Sequence, residues 1–393
     1  MNGRTLPPRI GPYIVERRLG AGGMGEVYLA YSVAGEPVAV KVIRPDRTDP
    51  HTRARFEREA TIARTISGTG RVARFIDADP FDEQPWLAMD YVPGRPLSDV
   101  VMDQGPLAAP LVASLGALLA EGLAAVHAVG LVHRDLKAQN VILGDFGPVI
   151  IDFGLGAFLG ASKGSLSQAG TVIGTVRCMP PEQALGAVDM TQAADVYGLG
   201  TVLLYAATGH YPYDGARWEA VAAQVVNPEV GPDLSGLPEA LVPVVTSMLA
   251  HKSDDRPSLE EVTRKCADLM RLLGTSPARA RRALIQETTA KDHPTMVLPQ
   301  PDGPMLDRLD SLERLLREEL ASGERSISVP TASQPGTHTA GEINVDLSLS
   351  PEPGNGRPAE PMPQRGRPPA SRRVAEELRE RYARGPALAW SKR

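Results

Sequence analysis

Apolar residues recur in short periodic segments up to about residue 275, and glycine or proline turns separate these segments. Residues 26–33 and 37–43 are rich in β-branched and aromatic residues, which predicts two strands joined by a turn at Gly35. One face of the second strand would carry Val38, Val40 and Val42, and the other face Ala39, Lys41 and Ile43. This part of the chain has the pattern of a packed domain.

Two further segments show helical patterns. Residues 53–66 predict one helix, and residues 107–130 are the most apolar stretch of the chain. Pro110, Glu121 and His127 interrupt that stretch, so it lacks the roughly 18 consecutive apolar residues that are typical of a membrane span. We therefore expect a buried helix and no membrane span. The first residues contain no apolar run of signal-peptide length, which favours a cytoplasmic protein.

The composition changes near residue 275. Beyond that point the chain is rich in Pro, Gly, Ser, Thr and Arg and poor in aromatic residues, which predicts a largely disordered tail. Residues 305–320 and 371–384 are predicted helices within it, and the first has leucines on one face, at Leu306, Leu309, Leu312, Leu316 and Leu320. Such helices are either solvated and partly formed, or bind a partner or self-associate.

Charge and cysteine content exclude several classes of function. The formal net charge is −5, so no overall basic field recruits nucleic acid or an anionic membrane. Cys178 and Cys266 lie far apart in sequence and form no ligand cluster, which fits a reducing cytoplasm and argues against a disulfide scaffold.

A glycine-rich stretch near the start has the pattern G-x-G-x-x-G, at Gly20, Gly22 and Gly25. Glycines allow backbone N–H groups to approach phosphate oxygens, because no Cβ intervenes. A dinucleotide-binding loop would be followed by a helix and an acidic residue, and Asp46 stands at the right distance. However, the residues after Gly25 have a strand pattern. We therefore expect a flap of two strands over the phosphates, with Lys41 in the next strand beneath it.

This arrangement resembles the protein kinase family. The matching strings are G-x-G-x-x-G-x-V (20–27), V-A-V-K (38–41) and H-R-D-L-K-x-x-N (133–140), and the last is highly specific. The resemblance covers about residues 13–272 and is greatest to bacterial, actinobacterial-type Ser/Thr kinases. It implies an α+β, two-lobed protein-kinase fold, with a small antiparallel β lobe that holds one key helix and a larger helical lobe.

The resemblance implies the following domain limits. An N-terminal extension occupies residues 1–12, and the kinase domain occupies 13–272, with the small lobe at about 13–90 and the large lobe at about 93–272. Residues 273–393 form the tail.

The family pattern also implies the site residues. Asp135 would act as the general base, Lys137 would contact the transferred phosphoryl group, and Asn140 and Asp152 would hold magnesium. Glu59, with Glu57 as the competing candidate, would pair with Lys41. Residues implied in nucleotide binding are Leu19, Gly20, Ala21, Gly22, Gly23, Met24, Gly25, Val27, Ala39, Lys41, Glu59, Met89, Asp90, Tyr91 and Val92.

Asp-Phe-Gly occurs twice, at 145–147 and at 152–154, although the family needs one metal-binding aspartate. Family architecture places a strand, a turn and a second strand between the asparagine and that aspartate. Asp152 lies twelve positions after Asn140, which accommodates this hairpin, whereas Asp145 lies five positions after it. The first triplet and the following Pro148 have turn chemistry. We therefore predict that Asp152 is the metal ligand.

The segment after Asp152 contains the candidate regulatory residues. Its end resembles G-T-x-x-Y-M-A-P-E, but Cys178 replaces the aromatic residue and Pro180 replaces alanine. Ser167, Thr171 and Thr175 are candidate phosphorylation sites, and Arg134 would receive the phosphate. Two structural roles are implied as well: Asp195 would hold the backbone of the catalytic loop, and Arg256 would pair with Glu182.

The sequence therefore predicts a Ser/Thr protein kinase that uses ATP and Mg²⁺, with Mn²⁺ as a substitute metal, acts on protein Ser/Thr hydroxyls and autophosphorylates in its activation loop. The tail would recruit phosphothreonine-reading domains or mediate self-association. Two alternatives stay open. One is a small-molecule phosphotransferase, which would lack the P-E element at Pro181 and Glu182. The other is a pseudokinase scaffold, which would need a broken catalytic set.

Overall fold

The computed structural model describes residues 6–22, 25–43, 53, 57, 60–66, 70–152, 176–187, 190–289 and 299–324. The chain divides into two units, Met1–Asp310 and Ser311–Arg393. The first unit contains two lobes, and each lobe has its own β-sheet. The predicted helix at 371–384 and the predicted disorder after 324 lie outside the described residues.

The small lobe is a six-stranded antiparallel sheet with the strand order β1-β2-β3-β4-β6-β5. Its strands are β1 (Arg9–Ile10), β2 (Tyr13–Gly22), β3 (Gly25–Tyr31), β4 (Pro37–Ile43), β5 (Phe75–Asp79) and β6 (Trp86–Asp90). The predicted turn between β3 and β4 is confirmed, and Gly35 adopts φ +79° there, which favours glycine. Of the predicted helix at 53–66, the described residues 53, 57 and 60–63 are helical.

The two faces of β4 divide as the sequence predicts. Val38 and Val40 belong to an apolar cluster with Trp86, and Val42 packs against it. Ile43 belongs to a second cluster with Met89, and Ala39 packs against that one. The period-2 pattern of β4 therefore assigns each side chain to the correct face.

The large lobe is mainly helical. Its helices are α1 (Leu97–Gln104), α2 (Ala109–Ala128), α3 (Pro181–Ala184), α4 (Ala193–Thr208), α5 (Trp218–Val226), α6 (Val242–Met248) and α7 (Leu259–Leu272). Short 3₁₀ turns occur at Ala138–Asn140, Glu239–Leu241 and Ser253–Asp255. A three-stranded sheet, in the order β7-β8-β9, consists of β7 (Arg95–Pro96), β8 (Val141–Gly144) and β9 (Gly147–Ile150).

Helix α2 is the centre of this lobe, because it packs against α4, α7 and β9. Among the described helices it is long and apolar enough to cross a membrane, and 72% of its apolar window is buried inside the protein. The prediction of a buried helix is confirmed. Leu115, Leu119 and Leu123 are fully buried on it.

Two helices follow α7. Helix α8 (Pro277–Thr288) departs from the expectation that the chain is disordered beyond residue 275. Ser276 caps its N-terminus by accepting from the Arg279 N–H, and it packs against α2. A narrow stripe with a period of four is buried, at Ala280, Leu284 and Thr288. Composition does not reveal so narrow a stripe, because three arginines surround it. Helix α9 (Gly303–Glu324) spans the residues predicted as helical at 305–320.

Candidate active site

The glycine stretch and Lys41 lie in one row across the small-lobe sheet. Gly20 pairs with Val27, Val27 pairs with Lys41, and Lys41 pairs with Leu87 on β6. Directly opposed residues in an antiparallel sheet share a face. Lys41 therefore lies on the same face as the first glycine of the loop, and two strands away from it.

Lys41 reaches across to Asp152. Its Nζ donates to the two carboxylate oxygens at 2.6 Å and 2.5 Å. The Lys41 side chain is 7% exposed, so this ion pair lies largely out of solvent. Burial alone would raise the pKa of Asp152, but the charge and hydrogen bonds of Lys41, together with the charge of Lys137, outweigh burial and hold that pKa below its ordinary value. Asp152 is therefore a carboxylate at neutral pH.

The segment 133–140 brings together two predicted catalytic residues, Asp135 and Lys137, and one predicted metal ligand, Asn140. Lys137 Nζ donates to Asp135 Oδ2 at 2.7 Å, and Asn140 Nδ2 donates to the backbone oxygen of Asp135 at 2.8 Å. Burial alone would lower the pKa of Lys137, but the charge of Asp135 and the hydrogen bond to it raise that pKa. The 3₁₀ turn Ala138–Asn140 brings the amide of Asn140 back toward Asp135. The backbone N–H of Ile151 donates to Asn140 O at 2.9 Å, which places Asp152 beside this group.

Asp195 holds the backbone of this loop. Its carboxylate accepts from the N–H of His133 and from the N–H of Arg134, each at 2.8 Å. Arg134 has φ +66°, a conformation that is costly for a residue with a side chain. The two hydrogen bonds that the buried carboxylate accepts compensate for this cost, and so the loop keeps a shape that presents Asp135.

The two Asp-Phe-Gly triplets occupy different environments. Asp145 and Phe146 form the two-residue turn between β8 and β9, and Phe146 is 81% exposed. Gly147 follows with φ +107°, which requires glycine. Asp152 of the second triplet comes after β9 and contacts Lys41. The hairpin that the residue count predicts is present.

The residues implied for adenine contact lie on and after β6. Met89 is buried and pairs with Ala39, so both are on the face that carries Lys41. The Asp90 N–H donates to Arg74 O at 2.9 Å. That amide is therefore engaged within the protein. Tyr91 and Val92 follow as partly exposed residues, and Leu19 lies on the exposed part of β2.

Arg256 and Glu182 form a bidentate ion pair. Arg256 Nη1 and Nη2 donate to the two oxygens of Glu182 at 2.7 Å and 2.8 Å. Arg256 Nε also donates to Ala250 O at 2.9 Å, and the guanidinium lies over the ring of Tyr197. The Arg256 side chain is fully buried. This network fixes α3, which bears Glu182, against the large lobe.

Cys178, which takes the position of an aromatic residue in the family pattern, is buried among the loop residues. Burial raises the pKa of its thiol to about 12. The thiol is therefore protonated at neutral pH, and a protonated thiol is a poor nucleophile.

Several sequence-predicted residues lie outside the described part of the chain. They are Gly23, Met24, Glu59, Ser167, Thr171 and Thr175. Glu57, the competing partner for Lys41, is described and is helical.

Sequence reasoning missed two supporting contacts. His127 Nε2 lies 2.7 Å from Asp195 Oδ2, and Gln183 Nε2 donates to Arg134 O at 3.3 Å. A single histidine in an apolar helix carries no signature of such a role. The one available signal was its polarity in a stretch that is mainly apolar.

The donor set fits a magnesium–nucleotide complex. Asn140 and Asp152 offer an amide oxygen and a carboxylate, which are the hard oxygen ligands that Mg²⁺ prefers. Within the described residues, no three His, Cys, Asp or Glu side chains form a cluster that could hold a metal ion alone. A metal held by Asn140 and Asp152 would complete its coordination with phosphate and water oxygens.

Comparison with known proteins agrees with this geometry. A family model for the protein kinase domain matches residues 13–266. The probable serine/threonine-protein kinase PkwA of Thermomonospora curvata is 45% identical over 257 residues, which cover 65% of this chain and 34% of that protein. Serine/threonine-protein kinase AfsK of Streptomyces coelicolor is 44% identical over 253 residues, which cover 64% of this chain and 31% of that protein. The chain thus spans about a third of the length of these relatives.

Solved structures show the same fold. The crystal structure of the Mycobacterium tuberculosis PknI kinase domain is similar with a TM-score of 0.54 and 28% identity, covering 67% of this chain and 99% of that one. The family match covers more than half of the chain and includes each described residue of the cleft between the two lobes, where Lys41 contacts Asp152. This chain belongs to the protein kinase domain family.

Proposed function

We propose that this protein is an ATP-dependent Ser/Thr protein kinase. The observation that carries the proposal is the convergence of Lys41, Asp135, Asn140 and Asp152 on one cleft, with Lys41 bonded to Asp152 and Asn140 bonded to Asp135. The relatives that match are named serine/threonine-protein kinases. The substrate is a Ser or Thr hydroxyl of a protein.

Each residue has a distinct role in this proposal. Asp135 accepts the proton of the attacking hydroxyl, and such base catalysis contributes about 10²–10⁴ in rate. Lys137, already beside Asp135, neutralises charge on the transferred phosphoryl group. Lys41 moves from Asp152 to the α- and β-phosphates of the nucleotide. Bound Mg²⁺ supplies charge neutralisation at the phosphate oxygens. Mn²⁺, with similar oxygen preference, substitutes for it.

Two observations favour this proposal over its alternatives. The ion pair of Arg256 with Glu182 fixes the P-E element, which a small-molecule phosphotransferase would lack. A pseudokinase scaffold would need a broken catalytic set, whereas Lys41, Asp135 and Asp152 are all present in the cleft.

Regulation and location extend the proposal. The kinase domain occupies 13–272, and autophosphorylation at Ser167, Thr171 or Thr175 places a phosphate that Arg134 receives. The protein acts in the cytoplasm, and its tail offers sites for phosphothreonine-reading domains or self-association. Replacement of these hydroxyls by alanine should lower activity, and unchanged specific activity would contradict this regulatory step.

The test is transfer of labelled phosphate from ATP in the presence of Mg²⁺, to the protein itself and to a generic protein substrate. Wild type should transfer phosphate, and Asp135→Asn should lose about 10²-fold to 10⁴-fold in rate. Gln139→Asn, which alters a neighbouring side chain in the same loop, is the matched control for folding. A wild type that binds nucleotide but transfers none would favour the scaffold.

A further inference from the structure

The chain beyond the matched family region contributes to the same compact unit as the kinase lobes. The family match ends at residue 266, whereas the unit extends to Asp310. Helix α8 and the start of α9 lie in this extension, on the two sides of residues 290–298, which are outside the described residues. Each of these helices contacts the backbone of the kinase lobes through one arginine, Arg281 in α8 and Arg308 in α9.

Arg281 contacts the turn of the β8–β9 hairpin. Its Nη2 donates to Phe146 O at 3.0 Å, and Arg71 Nη1 donates to the same oxygen at 2.8 Å. At the opposite end of β9, the Ile150 N–H donates to Arg71 O at 2.8 Å. Strand β9 runs from this turn directly to Asp152. The contact therefore fixes the far end of the strand that presents the metal ligand.

Arg308 contacts the beginning of β2. Its Nη2 donates to Pro8 O at 2.7 Å, and its Nη1 donates to Val15 O at 3.1 Å. Met305 and Leu309 on the same helix are buried, at 5% and 4% exposure. A charged donor that bridges two carbonyls, flanked by buried apolar residues, makes a specific attachment rather than a chance surface contact. Strand β2 runs from this point to Gly20 and Gly22.

Each arginine holds one end of a strand whose other end leads to the nucleotide site. Arg308 contacts Val15 near the start of β2, which ends at the glycine loop. Arg281 contacts Phe146 just before β9, which leads to Asp152. We infer that residues 277–289 and 299–310 position the metal-binding aspartate and the glycine loop through Arg281 and Arg308, and so set the affinity for Mg²⁺–nucleotide. This inference rests on the proposed function. Arg281 and Arg308 are positioning residues, because they act through Asp152 and through the glycine strand.

The test is the Kd of the full chain for a non-hydrolysable ATP analogue with Mg²⁺, measured by calorimetry. Arg281→Met and Arg308→Met should each raise the Kd by about threefold, and the double variant by about tenfold. Arg282→Met in α8 and Arg314→Met in α9 are matched controls that remove an exposed arginine from the same helices. The controls should bind as wild type does.

Two readouts separate positioning from general stabilisation. Amide hydrogen exchange should accelerate at 13–22 in Arg308→Met and at 147–152 in Arg281→Met, and lysine at either position should restore part of the affinity. Unchanged Kd values in variants with a lowered unfolding midpoint would overturn the inference. If the double variant does not fold, the two single variants provide the test. A wild type that binds the analogue but transfers no phosphate would overturn the proposed function alone.

Discussion

The two Asp-Phe-Gly triplets have the same sequence, but their aspartates lie in different environments. In the first, the side chains of Asp145 and Phe146 are exposed. The turn depends instead on its backbone, since Phe146 O accepts from Arg71 and Gly147 adopts a positive φ. In the second, the Asp152 carboxylate contacts Lys41 in the cleft. The role of a short motif therefore depends on its place in the fold. Asp145 and Phe146 form the turn of the β8–β9 hairpin, whereas Asp152 follows β9 and contacts Lys41.

The most direct test of this difference is to remove the carboxylate of each aspartate in turn. Asp152→Asn should lower phosphate transfer by about 10²-fold to 10⁴-fold, because the metal loses its charged ligand. Asp145→Asn should leave the rate within about twofold, since surface substitutions away from a site have small effects. The measurement is the initial rate with labelled ATP. Equal losses in both variants would show that the hairpin assignment is wrong.

The glycine of the first triplet should matter more than its aspartate. A Cβ on Gly147 would lie 2.7 Å from Arg71 Nη1, and φ there is +107°. Gly147→Ala should lower the free energy of unfolding by about 2–3 kcal/mol through backbone strain and loss of the Arg71 hydrogen bond. Denaturant unfolding measures this.

Gly130→Ala is the matched control for that experiment, since Gly130 has φ +78° and no atom lies within 4 Å of the position that a Cβ would take there. Gly130→Ala should lower the free energy of unfolding by about 1 kcal/mol, through backbone strain alone. Equal costs at the two glycines would mean that Arg71 does not restrain the turn.

The ionisation of Asp152 should depend on Lys41. Burial acts to raise the pKa of this carboxyl and Lys41 acts to lower it, so Lys41→Met should raise the pKa. Mn²⁺ binding needs the carboxylate, and in the variant the affinity should fall by about tenfold as the pH decreases toward about 5. Wild type should hold its affinity over that range. The measurement is Mn²⁺ titration by electron paramagnetic resonance, and parallel pH profiles in the two proteins would refute the coupling.

The smallest effect is expected at Phe146. Because this side chain is 81% exposed, Phe146→Ser should change the free energy of unfolding by less than about 0.5 kcal/mol. Thermal unfolding checks this. A loss of more than about 2 kcal/mol would indicate that the first triplet uses its aromatic ring in packing.

Sequence reasoning reached the fold and the cleft because their signals are local. The alternation in β4 assigned Lys41 and Val40 to opposite faces, and the residue count after Asn140 located the hairpin. Neither inference needed a contact between distant parts of the chain.

What it missed depends on such distant contacts. Arg308 donates to backbone carbonyls almost three hundred positions away, at Pro8 and Val15, and any residue offers a carbonyl. Helix α8 buries a narrow stripe, at Ala280, Leu284 and Thr288, in a segment whose composition predicts a solvated chain. His127 contacts Asp195 from a mainly apolar helix. None of these contacts leaves a local pattern of residue types in the sequence.

The central claim is that Asp152, and not Asp145, holds the metal. The most direct test is the increase in Tm that a non-hydrolysable ATP analogue produces with Mg²⁺ compared with the same analogue in a chelator, measured for wild type, Asp145→Asn and Asp152→Asn. The account predicts that Asp145→Asn keeps the metal-dependent increase of wild type and that Asp152→Asn loses it. Loss of the increase in Asp145→Asn, with retention in Asp152→Asn, would contradict it.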